Sequence, residues 1–284
     1  MKYLVTGVNG QLGYDVVKEL EKKGHLAVGV DREEMDITDE KQVRSVMERT
    51  KFDGVFHCAA YTAVDRAEEE EELCRKINAE GTKYIAQVCK EQGIKLLYLS
   101  TDYVFHGQGT HFWNPDGEVI QPLNVYGKTK YEGEEFVRNL LEQYFIVRIS
   151  WVFGKNGNNF IKTMLRLGEE RGALQVVDDQ IGSPTYTKDL AKLLVSMMDT
   201  KQYGTYHATN EGICSWYEFA CEIFRQAGME QVKVTPVSSD AFPVKAKRPS
   251  NSRMSKEKLE EKGFLRLPSW QDALHRYLEE LKEV

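Results

Sequence analysis

The first thirteen residues restrict the fold more than any other segment. Lys2–Thr6 is a short apolar run of the kind buried in a parallel sheet. It leads without a spacer into Gly7-Val8-Asn9-Gly10-Gln11-Leu12-Gly13. Residues 11–23 then take up helical periodicity, with Leu12, Val16, Val17 and Leu20 on one side and Gly24 as the stop. The alternation continues. Strands are expected at Leu26–Val30, 54–58, 95–100 and 145–149, and helices at 40–49, 73–92 and 126–141. Strands separated by helices imply right-handed crossovers and a parallel sheet, hence a doubly wound α/β domain.

After about residue 150 the alternation becomes irregular. Helices are expected at 160–170, Thr187–Met198, 216–227 and 270–281, with short strands between them and five of the seven prolines. This reads as a smaller, mainly helical lobe over one edge of the sheet. The expected division is 1–150 for dinucleotide binding and 151–284 for the substrate, with the chain free to cross back.

The sequence excludes several functions. Among 284 residues, 38 Lys and Arg face 44 Asp and Glu, a net charge of −6, which disfavours a general nucleic-acid binder. No apolar run approaches the ~18 residues of a membrane span. Nor do the first residues, which enter a strand directly, resemble a secretory leader. The five cysteines, Cys58, Cys74, Cys89, Cys214 and Cys221, form no CxxC pair. Reduced thiols in a cytoplasmic protein are expected, with neither a disulfide framework nor a zinc site.

The glycine spacing is G-x-x-G-x-x-G. Gly7 permits a tight exit from the strand, Gly10 lets the backbone approach a pyrophosphate, and Gly13 lets the helix pack close to the sheet. With Gln11 and Leu12 they place a helix N-terminus, with its free N–H groups and positive dipole end, against an anion. The second strand ends at Val30-Asp31-Arg32. Asp31 is positioned for the adenosine ribose hydroxyls, as in NADH binding, whereas Arg32 is either a 2′-phosphate partner, as for NADPH, or a solvated surface charge. Both cofactors are expected to work.

Tyr126-Gly127-Lys128-Thr129-Lys130 sets Tyr126 and Lys130 one helical turn apart on one face. A nearby ammonium stabilises a phenolate and brings the phenol toward proton transfer near neutral pH. An exposed helix pair would show the same spacing. The separating feature is Ser100-Thr101-Asp102-Tyr103 at the end of the fourth strand, because ligands of such sheets sit at the carboxyl ends of strands. A hydroxyl, a phenol and an ammonium around one carbonyl oxygen suit carbonyl–alcohol chemistry.

At these residues the chain resembles the extended short-chain dehydrogenase/reductases and, more narrowly, the dTDP-4-dehydrorhamnose reductases. The resemblance runs through Gly7 to Gly13, Ala59-Ala60-Tyr61-Thr62-Ala63-Val64-Asp65, Ser100 to Phe105 and Pro122 to Lys130. It extends to Arg148-Ile149-Ser150-Trp151-Val152-Phe153, Asn158-Asn159-Phe160, Asp179 to Thr185 and Arg248 to Arg253. It implies reduction of the C4 ketone of dTDP-4-dehydro-6-deoxy-L-mannose by NADH or NADPH. Tyr126 would be the proton donor, Lys130 would set its pKa and hold the nicotinamide ribose, and Thr101 would bind the carbonyl oxygen. It further implies cofactor contacts at Asp36, Ile37, Ala59, Ala60 and Thr62, and substrate contacts at Asp102, Val104 and Trp151. Arg248, beside Lys245 and Lys247, is either a diphosphate partner or part of a solvated basic loop. The resemblance also suggests a homodimer. Some relatives bridge theirs with Mg²⁺ through glutamates, but Asp15 and the Lys188-Asp189 pair stand at the expected positions, so no metal is expected.

Two other readings are open at this point. A 4,6-dehydratase needs an acid–base pair after the threonine, but Tyr103 follows Asp102; a 4-epimerase is not excluded by any residue. A non-catalytic regulatory homologue would not need Thr101, Tyr126 and Lys130 together.

Overall fold

In the computed structural model, which describes residues 1–117 and 120–282, the first half alternates as the periodicity predicts. The elements are β1 (Lys2–Thr6), α1 (Gln11–Lys22), β2 (Leu26–Val30), α2 (Glu40–Glu48), β3 (Gly54–His57), α3 (Val64–Ala67), α4 (Glu71–Arg75), α5 (Gly81–Gln92), β4 (Lys95–Thr101), α6 (Val125–Leu140) and β5 (Tyr144–Ile149). The strands lie in the order β2-β1-β3-β4-β5 and are all parallel; Gly204–His207 adds a sixth beside β5. Their direction of progression reverses between β1 and β3. That is the switch point of a doubly wound sheet, above which ligands bind.

Alternate strand residues serve opposite faces. Tyr3, Val5, Phe56, Leu97 and Phe145 pack with Val16 and Leu20 of α1 and with Leu190 and Leu194. Leu4, Val55, Leu96 and Ile146 pack with Val43 of α2, Ile85 of α5 and Val137 of α6. Burial on both faces explains why the strands read as continuous apolar runs.

The helix expected over 73–92 is continuous but widens. Between α4 and α5, Lys76–Glu80 forms a π-helical turn, of the kind that inserts one extra residue into a helix. Asn78 lies in this turn. Its amide accepts from Tyr61 N at 2.8 Å and donates to Tyr61 O and Thr129 Oγ1, each at 3.2 Å. The turn thus ties the segment after β3 to α6.

The second half is built on a separate core of Phe153, Ile161, Phe219, Phe224, Leu274 and Tyr277. Helices Phe160–Arg171, Trp216–Gln226 and Trp270–Lys282 surround it, and Ala173–Val177 pairs in parallel with Lys233–Val237. Thr187–Met198 and Gly204–His207 return to the first sheet, the helix against α1 and the strand against β5. A polar latch also joins the halves. Arg248 donates to both oxygens of Asp65 at 3.2 and 2.7 Å, Lys245 pairs with Glu69, and Asn124 Nδ2 donates to Lys247 O at 2.8 Å. Among the described residues no helix is long and apolar enough to cross a membrane.

Candidate active site

A cleft of about 930 Å³ opens over the carboxyl ends of β1, β3 and β4, between the two halves. Its floor is the glycine turn. Gly7 has φ +70° and donates to Val30 O at 2.9 Å; a Cβ there would lie 2.8 Å from the Ala59 backbone. A Cβ on Gly13 would lie 2.2 Å from Gly7 O, so α1 can approach the turn only with glycine at that position. Helix α1 starts after Gly10 with no side-chain cap, which leaves its first-turn N–H groups free for an anion. Gln11 Oε1 accepts from Gly154 N at 2.9 Å and Asn159 Nδ2 at 3.1 Å, joining the turn to the second half.

Asp31, Arg32, Asp36 and Ile37 line one end of the cleft. Asp31 accepts from Asn9 N at 3.1 Å and Arg32 N at 2.8 Å. The Arg32 side chain is 84% exposed and reaches Asp36 Oδ2 at 3.4 Å. Thr38, which the sequence reading did not single out, lines the same end and donates to Asp36 Oδ1 at 2.7 Å. Ala59, Ala60 and Thr62 form the adjoining wall. Below them His57 is a core residue, bonded to Thr6 Oγ1 at 2.8 Å and Thr82 Oγ1 at 3.1 Å, and burial lowers its pKa to about 3.

At the other end stand Thr101, Tyr126 and Lys130. Asn124 caps α6 by accepting from Gly127 N at 2.8 Å. A Cβ on Gly127 would lie 2.1 Å from Tyr103 O, so glycine lets the helix start close to the turn after β4. Burial holds the Tyr126 phenol above its ordinary pKa, with Thr101 acting in the opposite direction. The phenol is therefore protonated at neutral pH, the state a proton donor needs. Lys130 donates to Leu99 O at 2.6 Å and lies 4.1 Å over the Tyr98 ring. Burial lowers its pKa to about 7, against the opposing pull of Glu134. Asp102, raised to about 6 by burial, accepts from Thr101 Oγ1 at 3.0 Å and Ser252 Oγ at 2.5 Å.

Trp151 enters from the second half with φ +50°, which no other described residue except glycines matches in sign. Its indole stacks on Trp216 at 3.7 Å between centroids, and Gly182 leaves room for it: a Cβ there would meet the ring at 2.8 Å. Phe160 and Phe219 complete an aromatic wall with Trp216. Of these three partners only Phe160 belongs to a stretch that carried the family resemblance, and none was expected at the site from sequence. The capping box Ser215–Glu218 marks the helix start that carries Trp216, but no local signal turns that helix toward the cleft.

Two sequence candidates lie outside the cleft wall. Val104 is fully buried among Phe105, Trp113 and Met254, because the turn after β4 points it into that cluster. Arg248 is engaged with Asp65, which its guanidinium holds below the usual carboxylate range.

The arrangement combines a glycine cradle with an uncapped helix end, a carboxylate at the second strand, and a hydroxyl–phenol–ammonium group beside an aromatic wall. The whole chain is also similar to known proteins. The family model described as RmlD substrate binding domain matches residues 1–283. The spore coat polysaccharide biosynthesis protein SpsK of Bacillus subtilis is 40% identical, covering 98% of this chain and 97% of that protein. A dTDP-4-dehydrorhamnose reductase of Aggregatibacter actinomycetemcomitans is 39% identical over 96% and 97%. The crystal structure of the dTDP-4-dehydrorhamnose reductase of Bacillus anthracis in complex with NADP superposes with a TM-score of 0.95 at 45% identity, covering 98% of this chain and 99% of that one. Matched along its length in sequence and in fold, the chain belongs to the dTDP-4-dehydrorhamnose reductase family of extended short-chain dehydrogenase/reductases.

Proposed function

We propose that this protein reduces the C4 ketone of dTDP-4-dehydro-6-deoxy-L-mannose to dTDP-L-rhamnose with NADH or NADPH. The observation that carries the reading is that Thr101, Tyr126 and Lys130 line one cleft with the glycine turn, Thr101 and Lys130 buried and Tyr126 partly exposed. The cradle fits a dinucleotide: Gly7, Gly10, Gln11, Leu12 and Gly13 would hold the pyrophosphate. Asp31 would hold the adenosine ribose, Arg32, Asp36 and Ile37 would flank the adenine end, and Ala59, Ala60 and Thr62 would line the remainder. When bound, the nicotinamide supplies the hydride for the ketone carbon.

This chain's residues then handle the proton and the charge. Tyr126 gives its phenolic proton to the developing alkoxide. Lys130 stabilises the phenolate that results and, by the same position, orients the ribose. Thr101 turns its hydroxyl from Asp102 to the substrate oxygen, adding a hydrogen bond where charge develops. Trp151 and Asp102 flank the deoxysugar, and the aromatic wall excludes water. The dehydratase reading lacks an acid after Asp102, and nothing in the cleft favours epimerisation over reduction.

As a homodimer the protein would need no bridging metal. Asp15 accepts from Thr187 Oγ1 at 2.5 Å, and Asp189 is bonded to Arg276 at 2.8 and 2.6 Å. Sedimentation with and without a chelator tests this. A cytoplasmic location is supported by the five free cysteines. The activity is tested by product identification after cofactor oxidation with the dTDP-4-keto sugar generated in situ.

A further inference from the structure

The proposed reaction leaves several buried charges unused, and one of them adjoins the site. Glu134 is fully buried on α6, one turn beyond Lys130. Its oxygens accept from Arg148 Nε at 2.9 Å and Nη2 at 2.7 Å, from Arg138 Nη2 at 2.5 Å and from Ser100 Oγ at 2.5 Å. Arg148, 2% exposed, stands opposite Ser100 in the β4–β5 register. A well-packed apolar cluster often stabilises a core as well as a buried ion pair does. Stability is therefore a weak reason for a carboxylate here.

We propose that Glu134 is a positioning residue for the site: its carboxylate keeps the neighbouring Lys130 ammonium charged and, through Ser100, fixes the end of β4 that carries Thr101. The kinetic part of this rests on the proposed function; the electrostatic part does not. Tyr126, Lys130, Glu134 and Arg138 recur every four residues and so share one face of α6. Lys130 also meets His57 and Cys58 at the end of β3, Cys74 on α4 and Tyr98 on β4. Burial disfavours the charged form of Cys58, Cys74, Tyr98 and Tyr126, as it does of His57. Glu134 is thus the one ionised acid in the set, and it is first among the groups that oppose the burial of Lys130. Arg148 and Arg138 lie behind it and partly neutralise it. Ser100 precedes Thr101 directly, so the same carboxylate touches both halves of the site.

The test is titration of Lys130 without substrate, by ¹⁵N-lysine spectroscopy, with the resonance identified by its loss in Lys130→Arg. Glu134→Gln should lower the Lys130 midpoint by about one pH unit or more, since an opposite charge nearby is removed. A role confined to packing would admit water and move the midpoint upward. Where Glu134→Gln strands Arg148 and fails to fold, the same change is made in an Arg148→Met background. There the step from Arg148→Met to Glu134→Gln/Arg148→Met must again lower the midpoint. The basic limb of kcat against pH should move down with it in the loaded enzyme. An unchanged or raised midpoint on losing Glu134 in a folded protein overturns the proposal, whatever substrate the enzyme turns over. A lowered midpoint with an unmoved kcat profile overturns the kinetic part and the assigned role of Lys130.

Discussion

Trp151 and Trp216 lie face to face, 3.7 Å between centroids and 14° from parallel, across the wall of the cleft. One residue follows the last strand of the first half, and the other opens a helix of the second. Trp151 holds this stack from a left-handed backbone position, a conformation that is uncommon without glycine and is maintained only where surrounding contacts require it. Trp216 therefore fixes the angle at which the Trp151 indole faces the cleft. Trp216→Ala should raise KM for the sugar nucleotide by up to roughly tenfold, the value of one aromatic stack, with kcat little changed, as expected for contacts made equally in ground and transition states. Steady-state kinetics on Trp216→Ala and Trp151→Ala check it; a fall in kcat alone would place the pair in the chemical step.

Tyr126→Phe removes the phenolic proton and leaves the ring and the helix in place. Reduction should fall by about 10²–10⁴-fold, the usual contribution of a positioned acid. The cofactor dissociation constant, measured by calorimetry, should stay close to that of the wild type. Near-normal turnover would remove Tyr126 from the donor role.

Asp31 lies where the adenosine ribose is expected and presents a carboxylate to any 2′-phosphate. Asp31→Ala should shift the kcat/KM ratio of the two cofactors toward NADPH. The wild type should use both, because Arg32 offsets part of the repulsion. An unchanged ratio would mean that Asp31 does not meet the ribose.

Asp102 titrates near 6 because burial disfavours its charge. Its folded pKa lies above its unfolded one, so the contribution it makes to stability is complete below about pH 4. That contribution is lost as pH rises through 6. Two pKa units correspond to about 3 kcal/mol. Asp102→Asn should remove this dependence: its stability relative to the wild type should rise between about pH 4 and 6 and then level off. Urea unfolding across that range measures it, and parallel profiles would contradict the assignment.

The parts of the site read from sequence are those whose geometry is local. The Gly7–Gly13 turn, the Tyr126–Lys130 spacing and the strand end at Thr101 each depend on residues close in sequence, and the parallel sheet brings them to one edge. The parts not read depend on contacts between distant segments. Trp216 faces the cleft because its helix packs against Phe160 and Phe153. Arg248 meets Asp65 across 183 positions, and the basic stretch around it gives no hint of that partner. Val104 shares a motif with Thr101 yet points into the core, since side chains around a tight turn face different ways. The π-helical turn at Lys76–Glu80 is likewise silent in the sequence, where its residues continue an ordinary helical pattern.

The most direct test of the account is oxidation of NADPH or NADH by the purified protein with the dTDP-4-keto sugar generated in situ, followed by identification of the product. The account predicts one cofactor oxidised per sugar reduced, dTDP-L-rhamnose as the product, and loss of both signals in Tyr126→Phe. A folded, cofactor-binding protein that oxidises nothing, or that yields the sugar epimeric at C4, would contradict it.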